Sequence, residues 1–511
     1  MGRLIGTTTQ YTFLPGHNFQ NGYGYDAASN RTSLTAPDGS TNSYNYDTLN
    51  RLSSLTNSLT GQFGFGYDAL SRRTQLTRPN GVNTNYNYDS VSHLLSVLHQ
   101  AGSTTLDGAS YGYDYAGNRT SKTNYLNGIT SNYGYDAIYE LQQVTQSNVT
   151  TESYSYDAVG NRLTSLGVNP YSYNASNELT ATPSGSYTYD NNGSTLTDPS
   201  GKSYTWDFEN QLVQAVVPGT GTVTFKYDPF GRRIQKSSAL GTTNYLYDGQ
   251  WENVIEEVDN SGNLLARYAQ EMGLDFPLSE FRSSAASYYE QDGVNSVTSL
   301  SNPAGALANT YTSDAFGKLT ASTGTLANPF QYTAREFDLE TGIYEYRARY
   351  YDQNLGRFLS EDPVGFSNGT YNLYDYVSGD PVDFNDPSGN TRIHGNWCGP
   401  SWTGGQTEKY IPSHDKNRYY KDPRDYVDKV CSHHDKCYSK CRAKHPCSAW
   451  GRRFCEKKCD VFLVGRTVAN PLDVFNPWAY VVGIGIGLNP LPPAGPNGGP
   501  EPDDPVSCPC K

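Results

Sequence analysis

Aromatic and polar residues alternate over short stretches of the first half of the chain. Tyr44-x-Tyr46 and Tyr86-x-Tyr88 place both rings of each pair on one face of an extended strand. Each stretch ends in a segment such as 114–118, whose Asp, Gly and Asn residues are typical of turns. The pattern therefore predicts antiparallel β-hairpins.

The hairpin pattern repeats along the chain. Tyr-Asp pairs recur from Tyr25-Asp26 to Tyr247-Asp248, with a step of 21 residues and small excursions. A fixed period of this size indicates stacked units, because one hairpin cannot bury its own face. We expect each Tyr to pack between hairpins and each Asp to cap a turn. A sugar-binding aromatic surface is the alternative, and it requires exposed rings.

The spacing changes to a helical one near the C-terminus. Val427, His434, Cys437 and Cys441 recur at steps of three and four residues or their multiples, which predicts one stripe of a helix. A second helix is predicted over 449–468. If the two helices are antiparallel, two cysteine pairs face each other, namely Cys437 with Cys459 and Cys441 with Cys455. The same pairing places His434 beside the turn that holds Asp460.

Composition supports a folded, multi-domain chain with two different parts. The 511 residues include 43 Tyr and 50 Gly, which excludes the usual signature of disorder. Residues 390–511 carry 17 Lys and Arg against 12 Asp and Glu, a net charge of +5. The remaining residues carry 21 Lys and Arg against 39 Asp and Glu, a net charge of −18, so the whole chain has a net charge of −13. An acidic body with a basic tail domain suggests two separate tasks, although the basic tail is also consistent with ordinary surface charge.

All nine cysteines lie between Cys398 and Cys510, so the C-terminal part is expected to function in an oxidising compartment. Residues 1–14 are mostly polar and contain no apolar export signal. No uninterrupted apolar run of about 18 residues predicts a transmembrane helix.

Three C-terminal motifs resemble those of secreted phospholipases A2, over roughly residues 392–468. They are the helix motif Cys431-x-x-His434-Asp435-x-Cys437-Tyr438, the loop Gly395-Asn-Trp397-Cys398-Gly399-Pro-Ser-Trp-x-Gly404-Gly405, and Cys455-x-x-x-Cys459-Asp460. In that family they form the active-site helix, the calcium loop and the helix that carries the aspartate supporting the histidine. The order of the motifs also matches the family.

The resemblance implies a calcium-dependent ester hydrolysis. His434 would be the base and Asp460 would orient it, while Asp435 would bind Ca²⁺. The backbone carbonyls of Trp397, Gly399 and Ser401 would complete the metal site, with Gly404 as an alternative to Ser401. The Gly399 amide would also bind the oxyanion.

The resemblance also implies a Cys398–Cys431 disulfide. Cys447, Cys508 and Cys510 then remain, and an odd cysteine must stay unpaired or pair between chains. Zinc binding by Cys431, His434 and Cys437 is the alternative to catalysis.

The Tyr-Asp units of about residues 20–330 resemble the YD repeats of the Rhs family. The segment that follows is similar to the Rhs-associated core domain, through Gly356-Arg357-Phe358-x-Ser360-Glu-Asp362-Pro363-x-Gly365 and Asp386-Pro387-x-Gly389. The family implies a hollow shell of hairpins with the core as a plug. It also implies self-cleavage by Asp362 and Asp386 beside Arg357, with the cut after residue 390, where Asn390 replaces the usual Leu. The alternative is that both aspartates only cap Asp-Pro turns.

The predicted fold is mainly β: a YD-repeat β-hairpin spiral shell (1–330) and an Rhs core plug (331–390). A small disulfide-rich α-helical phospholipase A2-like domain (391–470) and a Pro/Gly-rich tail (471–511) follow. The predicted function is a polymorphic toxin that hydrolyses membrane phospholipids with Ca²⁺ as cofactor. The expected partners are membrane phospholipids, an immunity protein and a secretion machinery, and no nucleic acid is expected to bind. The toxin is expected to be delivered to an extracytoplasmic compartment of a target cell. The alternative is an adhesion protein with a catalytically silent tip.

Overall fold

The structure is a computed structural model that describes residues 3–250, 252–368 and 371–390, with the backbone of short strands at 393–394, 398–399 and 402–403. The chain forms two compact units. The first unit comprises Met1–Phe366 and Thr370–Arg392. The second unit comprises Ser367–Gly369 and Ile393–Lys511. The first unit contains almost all of the described residues. No helix in the described part is long and apolar enough to cross a membrane.

The first fifteen strands form one antiparallel sheet in which each strand pairs with the next. Their bounds are β1 Gly6–Thr9, β2 Phe19–Tyr25, β3 Arg31–Thr35, β4 Thr41–Tyr46, β5 Leu52–Asn57, β6 Gly61–Tyr67, β7 Arg73–Thr77, β8 Val82–Tyr88, β9 Leu94–Ala101, β10 Thr104–Tyr113, β11 Arg119–Asn124, β12 Thr130–Tyr135, β13 Leu141–Gln146, β14 Val149–Tyr156 and β15 Arg162–Ser165. We call this sheet the first array.

Three short strands connect the first array to a fourteen-stranded sheet, which we call the second array. The connecting strands are β16 Ser172–Tyr173, β17 Leu179–Thr182 and β18 Gly185–Ser186. The second array consists of β19 Thr188–Tyr189, β20 Thr195–Thr197, β21 Ser203–Trp206, β22 Leu212–Val217, β23 Gly221–Tyr227, β24 Arg233–Ser238, β25 Gly241–Tyr247, β26 Val254–Val258, β27 Leu264–Gln270, β28 Pro277–Arg282, β29 Ala285–Gln291, β30 Val297–Ser301, β31 Leu307–Ser313 and β32 Leu319–Thr323.

A four-stranded sheet follows, with β33 Glu336–Asp338, β34 Ile343–Tyr346, β35 Arg349–Asp352 and β36 Arg357–Phe358. The helical segments of the described residues are three 3-10 turns, Tyr332–Ala334, Gly365–Asn368 and Val377–Gly379. The remaining strands are β37 Phe384–Asn385, β38 Ile393–His394, β39 Cys398–Gly399 and β40 Trp402–Thr403. The predicted mainly β fold is therefore confirmed, while the predicted helices at 427–441 and 449–468 lie outside the described residues.

The contacts of one repeat hold its turn together and connect it to the next repeat. Asp47 accepts hydrogen bonds from the backbone amides of Leu49 and Arg51 at 2.8 and 3.0 Å, so it caps the turn between β4 and β5. The Arg51 guanidinium lies over the Tyr67 ring of the next repeat, 4.7 Å from its centroid. The Tyr67 hydroxyl donates to the Leu52 carbonyl at 2.9 Å. The predicted packing role of Tyr and capping role of Asp are confirmed.

The second array runs beside the first in the same chain direction. Hydrogen bonds between the arrays occur, in chain order, at Tyr11–Tyr245, Thr60–Ser279, Arg78–Tyr289, Asp107–Ser299 and Glu152–Ala315. The sequence separation of these partners falls from 234 to 163 residues. The repeats of the first unit therefore wind as a spiral in which the second array lies beside the first.

Buried ion pairs and tyrosines anchor the four-stranded sheet to the arrays. Arg233 of the second array pairs with Glu336 at 2.7 Å and with Asp338. Arg335 contacts Asp275 at 2.7 Å. The core rings, such as Tyr346, belong to the same buried cluster as residues of both arrays. This packing positions the segment 349–390, which carries the predicted cleavage residues.

Candidate active site in the core domain

Asp362 and Asp386 each begin an Asp-Pro turn, and one oxygen of each carboxylate caps that turn. Asp362 Oδ1 accepts from the Val364 amide at 2.9 Å. Asp386 Oδ1 accepts from the Asn390 amide at 3.1 Å and from the Ser388 hydroxyl at 3.2 Å. The capping role that the sequence left as an alternative is therefore present. It occupies Oδ1, whereas the Oδ2 atoms point elsewhere.

The two Oδ2 atoms meet at one arginine. Arg349 Nη2 lies 3.5 Å from Asp362 Oδ2 and 3.3 Å from Asp386 Oδ2, and all three side chains are at most 4% exposed. The guanidinium carbon lies 3.6 Å from the centroid of the Phe358 ring. One guanidinium therefore contacts both carboxyls within a buried site. The structure thus brings together the two predicted aspartates.

Burial keeps the phenol next to this group neutral. It raises the pKa of Tyr376 well above its usual value, and the charge of Asp386 acts in the same direction. The Tyr376 hydroxyl lies 3.2 Å from the hydroxyl of Tyr346. The aspartates are therefore bordered by uncharged aromatic groups, which exclude solvent from one side.

Arg357, the predicted neighbouring cation, has a different role. Its guanidinium lies over the rings of Tyr374 and Tyr173, at 4.5 and 5.2 Å, and its Nη2 donates to the Asn177 carbonyl at 2.6 Å. It therefore joins the core to the connecting strands. Arg349 was missed by the sequence analysis. The sequence did contain a sign of its role: an arginine within the aromatic strand β35 is buried, and a buried arginine requires an acidic partner.

The chain from Asp386 to Asn390 is held against the turn between β34 and β35. Arg349 Nε donates to the Gly389 carbonyl, and the Ala348 amide donates to the Ser388 carbonyl at 3.2 Å. Gly389 has a φ of +72°, and a Cβ there would lie 2.1 Å from the Tyr346 carbonyl oxygen. Only glycine fits this position. The backbone next to the aspartates is therefore fixed by contacts to both of its peptide groups.

The other predicted site residues belong to the C-terminal part. Strands β39 and β40 pair Cys398 with Thr403 and Gly399 with Trp402, which shows the backbone of four residues of the predicted calcium loop. The predicted residues outside the described part are Trp397, Ser401, Cys431, His434, Asp435, Cys437, Cys441, Cys455, Cys459 and Asp460. Their roles, the three disulfides and the Ca²⁺ site stay predictions. Within the described residues, no group of three or more His, Cys, Asp or Glu side chains could hold a metal ion.

Several named proteins are similar to this chain in amino-acid sequence. It is 34% identical over 267 residues to a tRNA3(Ser)-specific nuclease WapA of Bacillus spizizenii, a match that covers 49% of this chain and 11% of that protein. It is 26% identical over 322 residues to double-stranded DNA deaminase toxin A of Burkholderia cenocepacia, covering 55% of this chain and 22% of that protein. The chain thus spans about a tenth to about a fifth of the length of these relatives.

These relatives overturn three of the functional expectations. Their names describe a tRNA nuclease and a DNA deaminase, not lipid hydrolases. The prediction of a calcium-dependent phospholipase is therefore wrong by this comparison. The expected partners, membrane phospholipids and no nucleic acid, are wrong by the same finding. A toxin of the Rhs kind is supported in general terms.

The fold and the family agree with the repeat pattern. The crystal structure of TcdB2-TccC3-Cdc42 superposes with a TM-score of 0.64 at 20% identity, covering 74% of this chain and 22% of that one. A family model for the RHS repeat matches residues 46–82, and the model for the teneurin YD-shell matches residues 100–382, which is more than half of the chain. The chain therefore belongs to the teneurin YD-shell family.

Proposed function

We propose that the first unit is the carrier of a delivered toxin and that its core cuts the chain at the end of the Asp386–Asn390 turn. The observation that carries the proposal is the contact of Arg349 with Asp362, Asp386 and the Gly389 carbonyl. A cut there separates the carrier from the cysteine-rich segment that follows it. The fold shared with a structure of the Photorhabdus luminescens Tc holotoxin pore supports the carrier role.

The three side chains suit an aspartate-dependent hydrolysis. Two carboxyls that share a proton can act together, one removing a proton from water and the other protonating the leaving amine. Arg349 holds both carboxyls in one place and keeps the adjacent peptide against them.

The cleavage test uses the full chain. The purified protein is compared with Asp362→Asn and Asp386→Asn on a denaturing gel and by intact mass. We expect two fragments from the unchanged protein and one intact chain from either variant. Asp207→Asn, a capping aspartate in the second array, is the matched control and should cleave normally. An intact unchanged protein, or a cleaved Asp386→Asn variant, contradicts the proposal.

We further propose nucleic acid as the substrate class of the segment that follows the cut. The support is that two relatives are named for action on tRNA and on DNA. The cleaved protein is incubated with total tRNA and with double-stranded DNA, and strand breaks and deaminated bases are measured. We expect a change in one of the two substrates. Unchanged tRNA and DNA would contradict this assignment without affecting the cleavage proposal.

A further inference from the structure

Three turns of the second array contact the first array through charged side chains. Each of these turns begins with an acidic residue. Each acid forms an ion pair with a cation of the first array, namely Arg31–Asp248 and Lys122–Asp292, both at 2.6 Å, and Arg73–Glu271. Opposite charges therefore connect the two arrays at these three places.

The next turn of the series, 314–318, meets an acid instead of a cation. Asp314 begins this turn. The facing residue of the first array is Glu152, whose carboxylate accepts a hydrogen bond from the Ala315 amide at 3.1 Å. Within the described residues, no Lys, Arg or His side chain forms an ion pair with either carboxylate. This contact thus joins two acids of the same sign.

The cation that could have paired with them is held by aromatic rings. Arg162 begins β15, just as Arg31 begins β3. Its guanidinium lies over the rings of Tyr154 and Phe316, at 4.4 and 3.9 Å from their centroids. Arg162 therefore stabilises the packing of the two rings and leaves the carboxylates without an ion pair.

The two carboxyls are half-buried and line a cavity of about 920 Å³. Burial, together with the charge of Asp314, raises the pKa of Glu152 to about 7, and burial raises the pKa of Asp314 to about 6. Burial also raises the pKa of every tyrosine that faces them, so these phenols stay neutral near pH 7. The titratable and charged groups that face the two carboxyls are Tyr133, Tyr154 and Arg162 of the first array, Lys318 of the turn, and Tyr332, Tyr344 and Tyr351 of the core.

We propose that the contact of Glu152 with the turn 314–318 is a latch, which is closed at acidic pH and opens as the pH rises through neutrality. A protonated carboxyl lies beside an ionised one without repulsion, whereas two negative charges repel each other strongly in a buried site. The stabilisation is present at acidic pH and is lost as the pH rises through about 6 to 7. Because both carboxyls line the cavity, opening of the latch admits solvent to it and requires no cleavage of the chain.

Hydrogen exchange of the turn amides in the full chain measures the opening. A carboxyl whose pKa is about 7 in the closed state and 4.5 in the open state favours opening about tenfold more at pH 8 than at pH 6. After correction for the intrinsic exchange rate, we expect opening of the turn 314–318 to increase by that factor or more. The turn 292–296, which the ion pair of Asp292 with Lys122 holds, should show no such increase.

Two variants remove one charge each and keep an oxygen acceptor. Asn302 caps the equivalent turn by accepting from the Ala304 amide at 2.9 Å, so asparagine suits position 314 as well. In Glu152→Gln we expect the increase between pH 6 and pH 8 to fall to about twofold, the part that Asp314 contributes. Asp314→Asn should open less than the unchanged protein at pH 8. Asp207→Asn, a capping residue of another turn, is the matched control and should keep the full increase.

Three results would overturn the latch. The first is equal opening of the turn 314–318 at pH 6 and pH 8 in the unchanged protein. The second is the same increase in Glu152→Gln as in the unchanged protein. The third is an equal increase in the turn 292–296, because opening would then be unfolding of the whole carrier.

Discussion

Glu152 is expected to make the stability of the carrier depend on pH. It lies on β14, where the first array meets the turn 314–318 of the second, and accepts hydrogen bonds from the Ala315 amide at 3.1 Å and the Tyr154 hydroxyl at 2.7 Å. Burial, together with the charge of Asp314, raises its pKa from 4.5 to about 7. Replacing Glu152 by Gln keeps the size of the side chain and removes its titration.

The size of the effect follows from the pKa. Because the folded protein holds the proton more tightly than the unfolded chain, Glu152 favours folding at acidic pH, and this contribution is lost as the pH rises from 4.5 to about 7. One pKa unit corresponds to about 1.4 kcal/mol, so the loss is about 3 kcal/mol above pH 7. Burial also raises the pKa of Asp314 to about 6, so this residue likewise makes the folded state less stable as the pH rises.

The assay is urea unfolding of both proteins at pH 5 and at pH 8. We expect Glu152→Gln to have a stability near that of the unchanged protein at pH 5 and to be about 2–3 kcal/mol more stable at pH 8. Glu209→Gln, which changes an exposed carboxylate on a turn, is the control and should follow the unchanged protein. An equal loss of stability between pH 5 and pH 8 in Glu152→Gln and the unchanged protein would refute the reasoning.

Three further substitutions test the packing. Phe316→Ala removes a ring that is 2% exposed, and we expect a loss of about 3–5 kcal/mol in the free energy of unfolding; a loss below about 1 kcal/mol would contradict its burial. Tyr67→Phe removes one hydrogen bond to a carbonyl and should cost about 1 kcal/mol by the same assay, whereas the exposed Tyr115→Phe should cost nothing. Arg233→Met leaves the carboxylates of Glu336 and Asp338 on β33 without their shared arginine. We expect the free energy of unfolding to fall by about 3–5 kcal/mol, with a larger loss at pH 8 than at pH 5, and urea unfolding at both pH values measures it.

The sequence by itself determined the hairpin, its period and the roles of its Tyr and Asp residues. These features are local, because strand alternation and a capped turn depend on residues within about one repeat, and the contact from Arg51 to Tyr67 spans no more than the next one. The two aspartates that meet at Arg349 were also predicted, since each stands in a short recognisable motif. The prediction of a lipase came from motifs that, apart from the backbone of 398–399 and 402–403, lie outside the described residues, and the named relatives contradict it.

Only the tertiary structure decided which residues meet over long distances. It placed Arg349 rather than Arg357 in contact with both aspartates, because the Arg357 guanidinium lies over the Tyr374 ring instead. It also paired the arrays across sequence separations that fall from 234 to 163 residues, which no repeat period specifies. Each such contact depends on how the whole spiral packs, because a side chain selects its distant partner only after the intervening strands have stacked.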